Sequence, residues 1–168
     1  MTLAELNATD RDAFVGTLGG VFEHSPWVAE AAYAARPFAS VDALHAAMVE
    51  VVERASPAQQ LALVRAHPEL AGKASIGRGL TAASNAEQAG AGLSACSPDE
   101  FAKLQALNAR YNARFGFPFI LAVKGYDRAG VIADFERRVE RSVVEERAES
   151  LRQIARIARF RLQSLIES

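Results

Sequence analysis

Apolar residues recur at three- and four-residue spacing over almost the whole chain, alanine is abundant, and β-branched runs are short. With about 3.6 residues per helical turn, that spacing lines apolar side chains along one stripe, whereas a half-buried strand would alternate every second residue. The expected class is therefore all-α: a single-domain helical bundle of roughly eight helices with one irregular apolar loop. A chain of 168 residues, half of them hydrophobic, buries one sizeable core, and nothing in it suggests a second domain.

Start and stop signals divide the pattern into segments. Thr9 or Asp10 is available to cap a helix over residues 10–22, with Phe14, Leu18, Val21 and Phe22 inward and Gly19-Gly20 weakening its end. Ser25-Pro26-Trp27 reads as a cap followed by proline at the first helical position, opening a short helix to about Ala35 that Arg36-Pro37 closes. His24 and Trp27 read as structural residues beside that cap. Ser40 opens a helix to about Ala55 with Leu44, Met48, Val51 and Val52 inward; His45 lies next to that face and receives no chemical role.

Ser56-Pro57-Ala58-Gln59 combines proline at the first helical position with a reciprocal Ser-x-x-Gln cap, and Ala58, Leu61 and Val64 give the following helix its core face. Ser97-Pro98-Asp99-Glu100 is the strongest start in the chain, opening a helix to about Arg114 with Phe101, Leu104, Leu107, Asn108 and Tyr111 along one side. Residues 127–140 continue as helix, and 142–166 is the longest periodic segment. At about 100° per residue, Leu151, Ile154, Ala155, Ala158, Leu162 and Leu165 share one face, and Arg152, Arg156 and Arg159 face solvent. Arg161 falls at the flank of the apolar stripe and needs an anionic partner there, either in a structural salt bridge or in a ligand.

Charge and cysteine usage exclude several functions. Lys plus Arg number 19 against 20 Asp plus Glu, so there is no electrostatic footprint for nucleic acid or an acidic membrane surface. A small ligand or a protein partner fits better. One cysteine, Cys96, excludes an intramolecular disulfide and any multi-cysteine metal site within the chain, and no base accompanies it in sequence. No apolar run approaches the roughly 20 residues needed to span a bilayer, and neither a signal peptide nor a peroxisomal tripeptide is present. The expected location is the cytoplasm.

Three stretches depart from plain helical patterning. In Val64-Arg65-Ala66-His67-Pro68-Glu69-Leu70-Ala71-Gly72-Lys73 the proline disfavours helix at the preceding residue, so His67 sits at or just past a helix C-terminus. The partial negative charge there favours imidazolium, a setting for a general acid. The glycine-containing run after it, with Gly72, Gly77, Gly79, Lys73 and Arg78, matches neither phosphate-binding glycine pattern and reads as a connection.

In Thr81-Ala82-Ala83-Ser84-Asn85-Ala86-Glu87-Gln88, Ser84 and Glu87 have the Ser-x-x-Glu spacing of a capping box, which would consume both side chains. Alternatively, that helix start offers N–H donors to an anionic ligand, and Glu87 pairs with His67, favouring and orienting its protonated form. Phe115-Gly116-Phe117-Pro118-Phe119-Ile120-Leu121-Ala122-Val123-Lys124-Gly125 is aromatic and glycine-bracketed. A lone extended run in a helical domain must find partners for its backbone groups in a turn, in side chains or in a ligand.

Together with Phe22-Glu23-His24-Ser25-Pro26-Trp27 and Arg161-Leu162, these stretches resemble the OHCU decarboxylases over essentially the whole chain, 1–168. Those enzymes act on 2-oxo-4-hydroxy-4-carboxy-5-ureidoimidazoline in the oxidation of urate to allantoin. The resemblance implies an all-helical, cofactor-free lyase, a homodimer, that releases CO2 and gives (S)-allantoin. It implies catalytic roles for His67, as proton donor, and Glu87. Pro68, Ser84, Asn85, Ala86 and Gln88 would contact substrate, and the backbone of Phe119, Ile120, Leu121, Ala122 and Val123 would bind its ureido and ring groups. Arg161 would match the family's C-terminal arginine. No metal or cofactor is implied, because the conjugated imine of this small substrate can accept the electron pair left by CO2.

Overall fold

The structure, a computed structural model, describes residues 1–71 and 81–167. The described residues are helical throughout apart from connections, with no strand and one isolated bridge between Thr2 and Glu167. They fall into two compact units, Met1–Ala66 with Ala155–Ser168, and His67–Ile154. No described helix is long and apolar enough to cross a membrane.

The first unit contains α1 (Leu3–Ala8), α2 (Arg11–Leu18), α3 (Trp27–Ala32, extended by a 3-10 turn Tyr33–Ala35), α4 (Val41–Arg54) and α5 (Pro57–Ala66). The periodicity did not single out α1, which is short but begins with a complete Thr2–Glu5 capping box. Asp10, of the two candidates, caps α2 through Ala13 N–H. That helix stops at Leu18, so Val21 and Phe22 are buried from the turn beyond it. The Arg36 guanidinium lies 3.5 Å from the Tyr33 ring centroid and donates to the carbonyls of Asn7, Thr9 and Tyr33, tying α1 to the turn after α3.

Ser25 does not cap α3, contrary to expectation. Pro26 itself occupies the cap position in a helical conformation, and the Ser25 hydroxyl turns back to donate to the Glu23 carbonyl at 2.9 Å. The tight Phe22–Ser25 turn, with His24 at φ +47°, satisfies the serine locally before the helix begins. Ser40 caps α4 as its position predicts, and His45 Nε2 lies 2.7 Å from the Ala155 carbonyl. Both reciprocal bonds of the Ser56/Gln59 cap form at the start of α5. Its inward face is Leu63 and Val64, not Ala58, which is exposed, or Leu61, which is half-buried.

The second unit holds α6 (Ala82–Gly90), a 3-10 turn (Leu93–Ala95), α7 (Pro98–Phe115), α8 (Arg128–Arg138) and the first part of α9 (Val143–Leu165), whose last turns belong to the first unit. Ser97 and Glu100 make the full capping box of α7, and Gly116, at φ +74°, closes it in a left-handed conformation that a side chain would strain. Tyr111 is edge-on to Phe117, Phe119 and Phe135, and Phe119 stacks on Phe135 with centroids 3.9 Å apart. These rings are the centre of the unit's core. In α9, Ile154, Ile157, Ala158 and Leu162 are buried; Leu165 is exposed, and Ile166 takes the inward position just past the helix end.

Candidate active site

Helix α5 ends at Ala66, and His67 follows at once, buried with 7% of its surface exposed. Pro68 and Glu69 continue into a corner at Leu70-Ala71, where Ala71 adopts φ +50°. A non-glycine residue in that region costs roughly 1–2 kcal/mol and persists only where its surroundings over-determine it. Here they do. Gln88 of α6 accepts from Ala71 N–H at 3.1 Å and donates to the Glu69 carbonyl at 3.3 Å. From α7, Gln105 donates to the Ala71 carbonyl and Asn108 to the Leu70 carbonyl at 2.8 Å. Asn112, one turn on, donates to the Glu69 carboxylate. The remaining part of the expected corner motif, Gly72-Lys73, and the glycine-rich connection after it lie outside the described residues.

The Ser84/Glu87 capping box is not formed. Thr81, three residues earlier, caps α6 by accepting from Ser84 N–H, and its carbonyl takes Asn85 N–H. Hence the N–H groups of Ser84 and Asn85 are taken up by Thr81. With the cap displaced by three residues, Ser84 and Gln88 lie on the buried face of the helix, Glu87 is half-buried beside them, and Asn85 and Ala86 are exposed. Gln88 reaches the His67-Pro68-Glu69 segment directly, through the Glu69 carbonyl.

Residues 119–123 are buried and non-helical, and side chains hold their backbone. The Ile120 carbonyl accepts from Arg138 Nη1 at 2.7 Å, and Ala122 N–H donates to Gln153 Oε1 at 3.0 Å. The Val123 carbonyl accepts from Tyr126 N–H at 2.9 Å, which turns the chain toward α8.

Arg138 is fully buried, stacked over Phe119 at 4.4 Å, and paired with Glu146 at 2.8 Å. Glu146 also accepts from the Tyr111 hydroxyl at 2.7 Å. Burial above all, and then the Glu146 carboxylate, push the Tyr111 phenol far above its ordinary range, so it stays a neutral donor. None of Arg138, Glu146 and Gln153 was singled out from sequence, yet each carried a signal. Arg138 continues the apolar row Val131, Phe135 at helical spacing, and Glu146, Ser150 and Gln153 make a polar row along the inward face of α9.

Arg161 belongs to the first unit and is buried as its helical position predicts. Nη1 lies 2.8 Å from Glu23 Oε2 and also donates to the carbonyls of Gly20 and Val21. The anionic partner the sequence demanded is therefore present within the chain. Burial and the nearby Glu100 raise the Cys96 thiol above its usual range, which disfavours the thiolate a nucleophile would need.

Comparison with known proteins accords with this arrangement. A solved (S)-allantoin synthase superimposes with a TM-score of 0.81 at 30% identity, over 100% of this chain and 54% of that one. A solved OHCU decarboxylase, at 18% identity, shares the fold with a TM-score of 0.70 over 95% of this chain and 100% of that chain. The 2-oxo-4-hydroxy-4-carboxy-5-ureidoimidazoline decarboxylase of Haloferax volcanii is 44% identical over 100% of this chain and 98% of its own. The uric acid degradation bifunctional protein PucL of Bacillus subtilis is 40% identical over 98% of this chain and 33% of its own. The family model for OHCU decarboxylase matches residues 7–163, a span that includes the His67 corner, α6, the 119–123 run and Arg161. The chain belongs to the OHCU decarboxylase family.

Proposed function

We propose that this chain is a carboxy-lyase that converts 2-oxo-4-hydroxy-4-carboxy-5-ureidoimidazoline to (S)-allantoin and CO2 in urate degradation, with His67 as general acid. The observation that carries the reading is the family match over 7–163, enclosing a buried histidine fixed at a helix end. As the bond to the carboxylate breaks, its electron pair passes into the substrate's conjugated C=N, and CO2 departs. A proton from the His67 imidazolium is then added to one face of the ring carbon that bears the ureido group, which sets the product's handedness, while the neighbouring hydroxyl carbon becomes the carbonyl and its proton passes to the ring nitrogen that took the electron pair. Proton delivery of this kind contributes about 10²- to 10⁴-fold. The neutral imidazole is reprotonated from solvent before the next turnover.

Glu87 orients the imidazole and favours its charged form. Pro68 lines the site, Ser84 contacts the substrate from the inward face of α6, and Asn85 and Ala86 contribute through that same helical turn. The backbone of residues 119–123 binds the ureido and ring groups, and Arg161 attracts the carboxylate. The protein works without a cofactor, as a cytoplasmic homodimer, and engages neither nucleic acid nor membrane.

The test is circular dichroism of the product made from freshly generated substrate. The substrate also decays spontaneously to racemic allantoin, so optical activity, not total product, is the readout. Rapid formation of (S)-allantoin supports the proposal; racemic product at the spontaneous rate would reduce the chain to a binding module of the same fold.

A further inference from the structure

We infer that Arg138 and Gln153 are positioning residues for substrate recognition: each fixes the peptide on one side of Leu121, and together they aim the backbone of the 119–123 run at the ligand. The inference deepens the proposed function and rests on it for what that run binds.

Both peptides flanking Leu121 are trans, and a planar trans peptide points its C=O and N–H in opposite directions. The Ile120 carbonyl shares its peptide with the Leu121 N–H. Arg138 donates to that carbonyl at 2.7 Å, and so turns the Leu121 N–H away from the guanidinium. The Ala122 N–H shares its peptide with the Leu121 carbonyl. Gln153 accepts from that N–H at 3.0 Å, and so turns the Leu121 carbonyl away from the carboxamide. One residue thereby has its donor and its acceptor both directed by side chains of other helices, and a ureido group offers the complementary acceptor and donor.

Each holding side chain is itself held. Arg138, fully buried, lies over Phe119 at 4.4 Å and donates from Nε to Glu146 at 2.8 Å, while Glu146 accepts from the Tyr111 hydroxyl at 2.7 Å. Gln153, also buried, donates from Nε2 to Glu149 at 2.7 Å, and Glu149 is gripped by Arg152. Carboxylates of α9 thus fix the side chains that fix the run. The charge-assisted bond to the Ile120 carbonyl also polarises its peptide, which makes the Leu121 N–H a stronger donor. Loosening either tie weakens the binding of substrate and product alike, which raises KM and leaves the chemical step nearly unchanged.

The experiment uses Gln153→Met and Arg138→Lys, each read by steady-state kinetics, inhibition by (S)-allantoin and urea unfolding. Gln153→Met keeps the volume and removes the acceptor for Ala122 N–H. Arg138→Lys keeps a cation for Glu146 and gives up the fork that reaches Glu146 and Ile120 together. Each should raise KM and the (S)-allantoin inhibition constant about tenfold, with kcat within about threefold of wild type. In amide NMR, (S)-allantoin should shift the Leu121 signal in the wild type more than in either variant.

Wild-type KM and inhibition constant in both folded variants, with only the urea midpoint lowered, would reduce the two residues to structural ties and overturn the inference. So would a loss confined to kcat, or a Leu121 amide signal that (S)-allantoin leaves unmoved in the wild type. If Gln153→Met fails to fold, Arg138→Lys carries the comparison, and the wild-type amide titration decides if neither folds. A wild-type protein that binds (S)-allantoin at Leu121 and yet forms none from substrate would sink the proposed function alone.

Discussion

Arg138 holds the carbonyl of Ile120 at 2.7 Å, with both residues buried, the guanidinium over the Phe119 ring and paired to Glu146. A charged side chain thereby supplies the partner that a neighbouring strand would give an extended segment in a sheet protein. Removing it leaves a buried carboxylate and a buried carbonyl. Arg138→Met should cost about 3–5 kcal/mol in urea unfolding. A loss below about 1 kcal/mol would mean that water replaces the guanidinium, and that the 119–123 run does not depend on it.

Tyr111 makes stability depend on alkaline pH. Its phenol is raised from an ordinary value of 10.0 in the fold, whereas in the unfolded chain it ionises near that value. Above pH 10.0 the unfolded state therefore loses a proton that the folded state keeps, and stability falls as pH rises. Below pH 10.0 the contribution is fully present. Urea midpoints across this range should fall more steeply for the wild type than for Tyr111→Phe; parallel slopes would contradict the assignment.

Thr81 and Glu87 should separate stability from turnover. Thr81→Ala removes the cap of α6 and is expected to cost about 1 kcal/mol of stability. Glu87→Gln should reduce kcat while leaving helicity and the thermal midpoint near wild type. The opposite pattern, with Glu87→Gln changing only the melting temperature, would return Glu87 to a structural role.

His67→Asn should keep the fold and lose about 10²- to 10⁴-fold in the rate of optically active product. Unchanged optical activity would remove His67 from the chemistry. The substitution preserves a polar group of similar size at the helix end, so a thermal scan checks that the corner survives.

The Arg161–Glu23 pair predicts a split between two substitutions. Arg161→Met leaves the Glu23 carboxylate buried and should destabilise by about 3–5 kcal/mol. Arg161→Lys keeps the charge but loses the guanidinium fork, so stability should fall much less. A rise in KM in the lysine variant would support a second role toward the substrate carboxylate; an unchanged KM would confine Arg161 to its ion pair.

The helical fold was legible in the sequence because helices are local structures. The apolar spacing in α4, α7 and α9 needs no knowledge of neighbours, and the Ser-Pro start of α7 and the Ser56/Gln59 cap of α5 satisfy backbone donors within four residues. Arg161 was legible for the same reason: its position on the flank of α9 fixed both its burial and its need for an anion. Capping was less secure where a local alternative competed. Ser25 turned back into its own turn, and Thr81 displaced Ser84, because either serine or threonine can supply the same acceptor one turn earlier or later.

His67 at a helix end was readable from the chain alone, since the proline after it acts on the adjacent backbone. The conformation of its corner was not. Ala71 is left-handed because of Gln88, Gln105 and Asn108, residues 17, 34 and 38 positions away from their backbone partners. Likewise, side chains rather than a ladder hold the 119–123 backbone, through Arg138 and Gln153 from two other helices. Sequence periodicity decides which face of a helix is apolar; which buried polar group meets which is decided only when distant helices pack and every desolvated donor and acceptor must find a partner.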